Sequence, residues 1–134
     1  MKQVTIISQD RVGLLADISY ILGKSGINID GLFVDVIGGK AVVALELKDP
    51  VRAKGVLESN GFRIADPQAI VVKVSNGALD TITEMLEDEK IKVMNLAELS
   101  ADANDRVLAI SVDKPRKATK MLGPFMLGNA ASPY

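Results

Sequence analysis

The chain has 134 residues, enough for one ordinary domain or two very small ones. It holds no histidine and no cysteine, so the commonest general base, the commonest zinc ligand, disulfides and thiolate chemistry are all missing. Lys plus Arg is 16 and Asp plus Glu is 17, and a net charge of −1 removes the electrostatic case for nucleic acid or anionic membrane as partner.

Lys2 to Ser8 reads as a strand. Val12, Leu14, Leu15, Ile18, Ile21 and Leu22 then recur at helical spacing, and Ser25-Gly26 closes that helix. Ile27 to Ile37 reads as a second strand whose alternation slips phase near Gly31, which suggests a bulge or a bend. Gly38-Gly39 is a two-residue hairpin turn leading into a third strand, Lys40 to Lys48. Asp49-Pro50 opens a second helix, with Asp as N-cap and Pro at the first helical position, and Asn60-Gly61 ends it. Phe62 to Ala65 makes a short fourth strand, giving the order βαββαβ.

That order recurs. Ala69 to Val74 is a strand, Leu79, Ile82, Met85, Leu86 and Ile91 form a helix stripe, Lys92 to Ser100 and Val107 to Val112 are strands, and Lys114-Pro115 opens another helix. Gly13, Leu15, Ile18 and Leu22 map onto Gly77, Leu79, Ile82 and Leu86. After one inserted residue, Val42, Ala44, Pro50 and Ala53 map onto Val107, Ala109, Pro115 and Ala118. A duplicated unit explains this, with domains over 1–67 and 68–134. The last strand of the second copy is poorly matched: Phe125-Met126-Leu127 is short and Asn129 to Tyr134 reads as a loose tail. The expected fold is α+β: two tandem ferredoxin-like βαββαβ units, each an antiparallel sheet with both helices on one face. The third strand is apolar on both faces, so the second sheet face needs a cover, from the sister unit or a second chain. Aliphatic content points the same way: 48% of residues are hydrophobic but only 4% aromatic. The longest purely apolar runs, such as Ala41 to Leu45, are too short to span a bilayer, and the start meets polar residues too soon for a secretory signal. A cytoplasmic location is expected.

The segment VTIISQDRVGLLADISYILGKSGINI, followed by a strand, a Gly-Gly hairpin and a strand, resembles the ACT domain family over roughly residues 3 to 65. A weaker resemblance covers roughly residues 69 to 122. The chain looks like a stand-alone tandem ACT protein with no catalytic domain attached. The resemblance implies a regulatory module that binds amino acids and controls amino-acid metabolism. It also implies units paired side by side through their sheets. The ligand would lodge between the first strand–helix turn of one unit and the second strand of its neighbour. Carried onto this sequence, the ligand-binding positions are Ser8, Gln9, Asp10, Arg11, Val12, Gly13, Leu14, Leu15 and Asn28. Where the family often has Pro before the Gly, Val12 stands here.

The residues carry their own argument for that turn. A helix start leaves backbone N–H groups unpaired and partly positive, so those near Gly13, Leu14 and Leu15 suit a carboxylate. Gly13 lacks a Cβ and lets a ligand approach. Asp10 suits an ammonium, and Asn28 offers a donor and an acceptor. Together they fit a free amino acid. Plainer readings stand beside this one: Asp10 as a helix N-cap, Gly13 as a helix–sheet packing residue, Asn28 as a solvated edge residue and Arg11 as a solvated charge. Leu14, Leu32 and Phe33 are candidates for a side-chain pocket. The second repeat has Ser75-Asn76-Gly77 at its turn and Lys92 in place of Asn28, so it is expected to bind weakly or not at all.

The leading expectation is therefore a non-catalytic amino-acid sensor, a homo-oligomer with a dimer favoured, acting on an enzyme of amino-acid metabolism. The alternative is a ligand-free scaffold or regulatory subunit that binds a protein partner. No cofactor and no metal site is expected. An RNA-binding module of the same strand order would need aromatics on its central strands, and they carry none. An acylphosphatase-like enzyme would need a Gly-rich phosphate loop, which the turn around Arg11 lacks.

Overall fold

The computed structural model describes residues 2–66 and 69–126. The chain divides into two compact units, Met1–Pro67 and Gln68–Tyr134. The first contains strand β1 (Lys2–Gln9), helix α1 (Leu14–Lys24), strands β2 (Gly31–Ile37) and β3 (Lys40–Leu47), helix α2 (Pro50–Ser59) and the short strand β4 (Arg63–Ile64). The second contains β5 (Ile70–Ser75), α3 (Leu79–Asp88), β6 (Val93–Ala101), β7 (Asp105–Val112), α4 (Pro115–Leu122) and a 3₁₀ turn at Gly123–Phe125. All strand pairs are antiparallel, in the orders β2-β3-β1-β4 and β5-β7-β6. The fold is α+β with two ferredoxin-like units.

Helical spacing decides which side of α1 is buried. Leu14, Ile18 and Leu22 lie under the helix and meet Val4, Ile6, Ala41, Val43 and Leu45 from the sheet and Ala53 and Leu57 from α2. In the second unit Ile82 and Leu86 play the same part against Val72, Val74, Leu108, Ile110, Ala118 and Leu122. The matched pairs Ile18 and Ile82, Leu22 and Leu86, Ala53 and Ala118 are all buried.

Local signals set the ends. Gly26 has φ +72, its N–H bonds to the Gly23 carbonyl at 3.0 Å, and Ile27 N–H bonds back to the Leu22 carbonyl at 2.9 Å. This is a Schellman closure, which needs a left-handed residue at that position. The end of α2 repeats it with Gly61 (φ +86), and the end of α3 does so with a lysine, Lys90 (φ 58). Gly38 and Gly39 both have positive φ, as a two-residue hairpin with the twist of its strands demands. Pro50 and Pro115 each begin a helix. Asp49 caps α2, its carboxylate accepting the Arg52 N–H at 3.2 Å. Asp49→Ala is expected to lower stability by about 0.5–2 kcal/mol, read as a lower urea midpoint at unchanged m-value.

Two expectations need correction. The second strand starts at Gly31, and residues 27–30 lie outside it. The phase slip therefore marks the entry to the strand, and the β2–β3 ladder runs without a break from Gly31 to Ile37. In the second unit the last strand is replaced by the 3₁₀ turn and one bridge, Val72 to Met126. Pro124 within Gly123–Phe125 favours a tight turn over a strand. Leu127 and the expected tail lie outside the described residues. Among the described residues, no helix is long and apolar enough to cross a membrane.

Candidate functional site

The chain leaves β1 at Gln9, turns through Asp10 to Gly13 and enters α1 at Leu14. Gly13 has φ +83 and ψ 0, and a Cβ there would meet nothing within 4 Å. The packing explanation for this glycine therefore fails. The left-handed backbone requires it, and the space in front of it is open.

The capping explanation for Asp10 fails as well. Helix α1 has no side-chain cap, and its N-cap residue is Gly13 itself. Asp10 is tied to the hairpin through its backbone, its N–H donating to the Gly39 carbonyl at 3.2 Å. No hydrogen bond or ion pair holds its exposed carboxylate among the described residues. The Leu14 N–H, one of the amides expected to receive a ligand, closes the turn onto the Arg11 carbonyl at 3.3 Å. The first bond of the helix runs from Asp17 N–H to the Gly13 carbonyl at 2.9 Å. Among the described residues the N–H groups of Gly13, Leu15 and Ala16 are left without an acceptor.

These groups border an open cleft of about 390 Å³ lined by Asp10, Arg11, Gly13, Leu14, Leu15, Ala16, Val34 and Ala41. That volume lies within the range of small-molecule sites. The cleft thus joins an unpaired carboxylate and partly positive amides to an aliphatic wall. Arg11 crosses the helix face to Asp17, with 2.8 Å between guanidinium and carboxylate. Both side chains are about half exposed, 46% and 53%, so this pair orients Arg11 more than it stabilises the fold.

Five of the nine sequence candidates come together here: Asp10, Arg11, Gly13, Leu14 and Leu15. Ser8 lies half-buried below the turn and donates its hydroxyl to the Gln9 carbonyl at 3.2 Å. Gln9 alternates to the opposite sheet face from Ser8. Val12 is fully exposed at the tip of the turn. Asn28 lines a separate cleft with Gly26, Ile27, Asp30, Lys48, Asp49 and Arg52, at the far end of α1. Eleven helical residues, about 16 Å, lie between the two places. Ala16, Val34 and Ala41 were missed. With Gly31 as the true strand start, Leu32 packs into the core, Phe33 takes the opposite face and Val34 reaches the cleft.

The second unit has a corresponding turn that is one residue shorter and makes different contacts. Gly77 has φ +97, and α3 also lacks a side-chain cap. Asn76 precedes its glycine in sequence as Val12 does, but in the ladder it takes the place of Asp10, directly after the last strand residue. Its N–H donates to the Asn104 carbonyl at 2.8 Å and its amide nitrogen to the Ala103 carbonyl at 2.7 Å. Its amide oxygen accepts from Arg106 Nε at 3.1 Å. The hairpin it grips is itself braced, because the Asp102 carboxylate accepts the N–H groups of Asn104 and Asp105, each at 2.8 Å. These bonds, from Asp105 first and then Asn104, hold the Asp102 carboxyl below its ordinary value of 3.8. A lowered carboxyl supports the hairpin at pH values above its unfolded pKa and loses that support as pH falls through its folded one. An NMR titration is expected to show the Asn104 and Asp105 amides shifting together with Asp102, below about pH 3.8.

A ferredoxin-like unit with an open cleft at its first strand–helix turn describes a class of small α+β domains. The match to a known family is more specific: the ACT domain family model covers residues 2–59, and the first unit is an ACT domain. No curated protein sequence matches at a significant level. Among solved structures, the chain is similar to a protein from Bacteroides thetaiotaomicron (21% identity, 96% of this chain and 92% of that one, TM-score 0.46). It is also similar to the ligand-free regulatory subunit of aspartate kinase from Thermus thermophilus (17% identity, 88% and 87%, TM-score 0.44). A putative glycine cleavage system transcriptional repressor matches at 16% identity, 82% and 77%, TM-score 0.38.

Proposed function

We propose that this protein is a non-catalytic sensor of a free amino acid, bound at the Asp10–Ala16 turn of the first unit. One observation carries the reading. A glycine held at φ +83 faces open space, with three unengaged amides beside it and an unengaged carboxylate across from them. The amides suit the ligand carboxylate, Asp10 suits its ammonium, and the aliphatic wall takes its side chain.

Asn28 enters from a second copy of the chain. Strand β2 ends its sheet and pairs with β3 alone. Two copies of β2 running antiparallel about Val34 set Gly31 of one level with Ile37 of the other, so Asn28, three residues before the strand, emerges beside the Gly38-Gly39 hairpin of the second copy. That hairpin is the one whose Gly39 carbonyl holds Asp10. In the same pairing Leu32 opposes Val36, and Asp35 opposes Phe33 rather than another carboxylate. A homodimer thus completes a site that one chain leaves open on one side. The second unit, read as a divergent ACT-like domain, does not bind. Ligand preference for one arrangement of the dimer would pass the signal to a regulated enzyme.

A thermal-shift screen against the twenty common amino acids tests the reading. A rise in Tm for one or a few is expected, at affinities of about micromolar to millimolar. Asp10→Ala and Asn28→Ala should each remove that rise while leaving the unliganded Tm unchanged. No rise with any amino acid would favour the ligand-free scaffold instead.

A further inference from the structure

We propose that Asn76 is a latch that fixes the second turn to the β6–β7 hairpin, so that only the first turn is free to respond to a ligand. The two units hold equivalent turns in unequal ways. In the first, one backbone bond, Asp10 to Gly39 at 3.2 Å, joins the turn to a minimal Gly-Gly hairpin. The residue before the glycine is Val12, whose side chain touches nothing and is fully exposed. In the second, Asn76 uses its backbone N–H, its side-chain amide nitrogen and its side-chain oxygen at once, reaching Asn104, Ala103 and Arg106. The Asp102 carboxylate fixes the hairpin end of this link. The cleft at the second turn is accordingly smaller, about 190 Å³ against about 390 Å³.

The consequence concerns motion. Freeing the second turn from its hairpin breaks three bonds centred on one residue, whereas freeing the first from its hairpin breaks one. Local opening free energies follow such differences, and amide exchange reads them. Ligand responsiveness of the first turn rests on the sensor reading above, but the latch does not.

Hydrogen exchange on the unliganded full chain tests the latch directly. The Asn76 amide should exchange at least about tenfold more slowly than the Asp10 amide, which makes the matching backbone bond to its own hairpin, a difference equivalent to about 1.4 kcal/mol. Asn76→Val, which keeps the backbone bond and removes both side-chain bonds, should erase that difference and leave the Asp10 amide unchanged. Arg106→Met, which removes one of the three bonds and keeps the stem of the side chain, should erase part of it. Equal exchange at the two turns, or no effect of either variant, would overturn the latch. Adding an equimolar mixture of the twenty amino acids then tests the second half. Slowing at amides 12–16 alone supports it, and slowing at both turns overturns it. Slowing at neither sinks the sensor reading, with the latch already decided by the unliganded data.

Discussion

Leu22→Ala is expected to destabilise the first unit by about 2–5 kcal/mol. Leu22 is fully buried in the middle of the cluster that α1, α2 and the sheet share. Alanine is at least as good a helix former as leucine, so α1 loses nothing intrinsic. The Leu22 carbonyl still accepts the Ile27 N–H that closes the helix, because the backbone is unchanged. What remains is the lost transfer free energy of the side chain and the cavity it leaves. Neighbours from three elements converge on that space, and β-branched Ile18 and Val43 have few rotamers with which to fill it. Urea unfolding followed by circular dichroism measures the loss. A change under about 1 kcal/mol would show that α1 does not pack on the sheet as described.

Gly13→Val should cost stability and binding together, and Gly13→Asn should separate them. A β-branched residue at φ +83 is strained whatever the space around it, by roughly 1–2 kcal/mol. Its methyl groups would also occupy part of the cleft that Gly13 lines with Leu15 and Ala16. Asparagine enters the left-handed region more readily, so Gly13→Asn should recover much of the lost Tm. Its side chain still fills the approach, so the amino-acid response should stay absent. A Gly13→Asn protein that responds like the parent would show that the glycine serves the turn alone.

Most of the fold was legible because short-range chemistry dictates it. The stripe through Leu14, Ile18 and Leu22, the Gly38-Gly39 hairpin, the Asp49-Pro50 helix start and the Ser25-Gly26 closure each need only a few neighbouring residues. The recurrence of the helix stripe and of the proline helix start, at an offset of 64 or 65, then pointed to a second unit. What failed depended on contacts distant in sequence or on competing local choices. Residues 27–30 look like strand, but the ladder with β3 begins only at Gly31. That choice carried Val34, instead of Phe33, to the cleft. Lysine gave no warning of a left-handed helix end at Lys90, which the packing of Ile91 imposes. The site was half legible. Gly13 and Asp10 announced themselves, but the Leu14 N–H proved to be spent on Arg11, and only the three-dimensional turn reveals that.

Strand β1 lies between β3 and β4, with Lys2 level with Leu47 and Ile6 level with Ile64. Of the four strands in this sheet, the one synthesised earliest therefore occupies an inner position and has no neighbour until far more of the polypeptide has left the ribosome. Hairpin β2–β3 can form early from local contacts, and β1 must then be captured by a long-range closure. A nascent fragment ending before residue 40 should behave as an unstructured chain, and the aggregation hazard of Val4 to Ile7 is greatest during that interval.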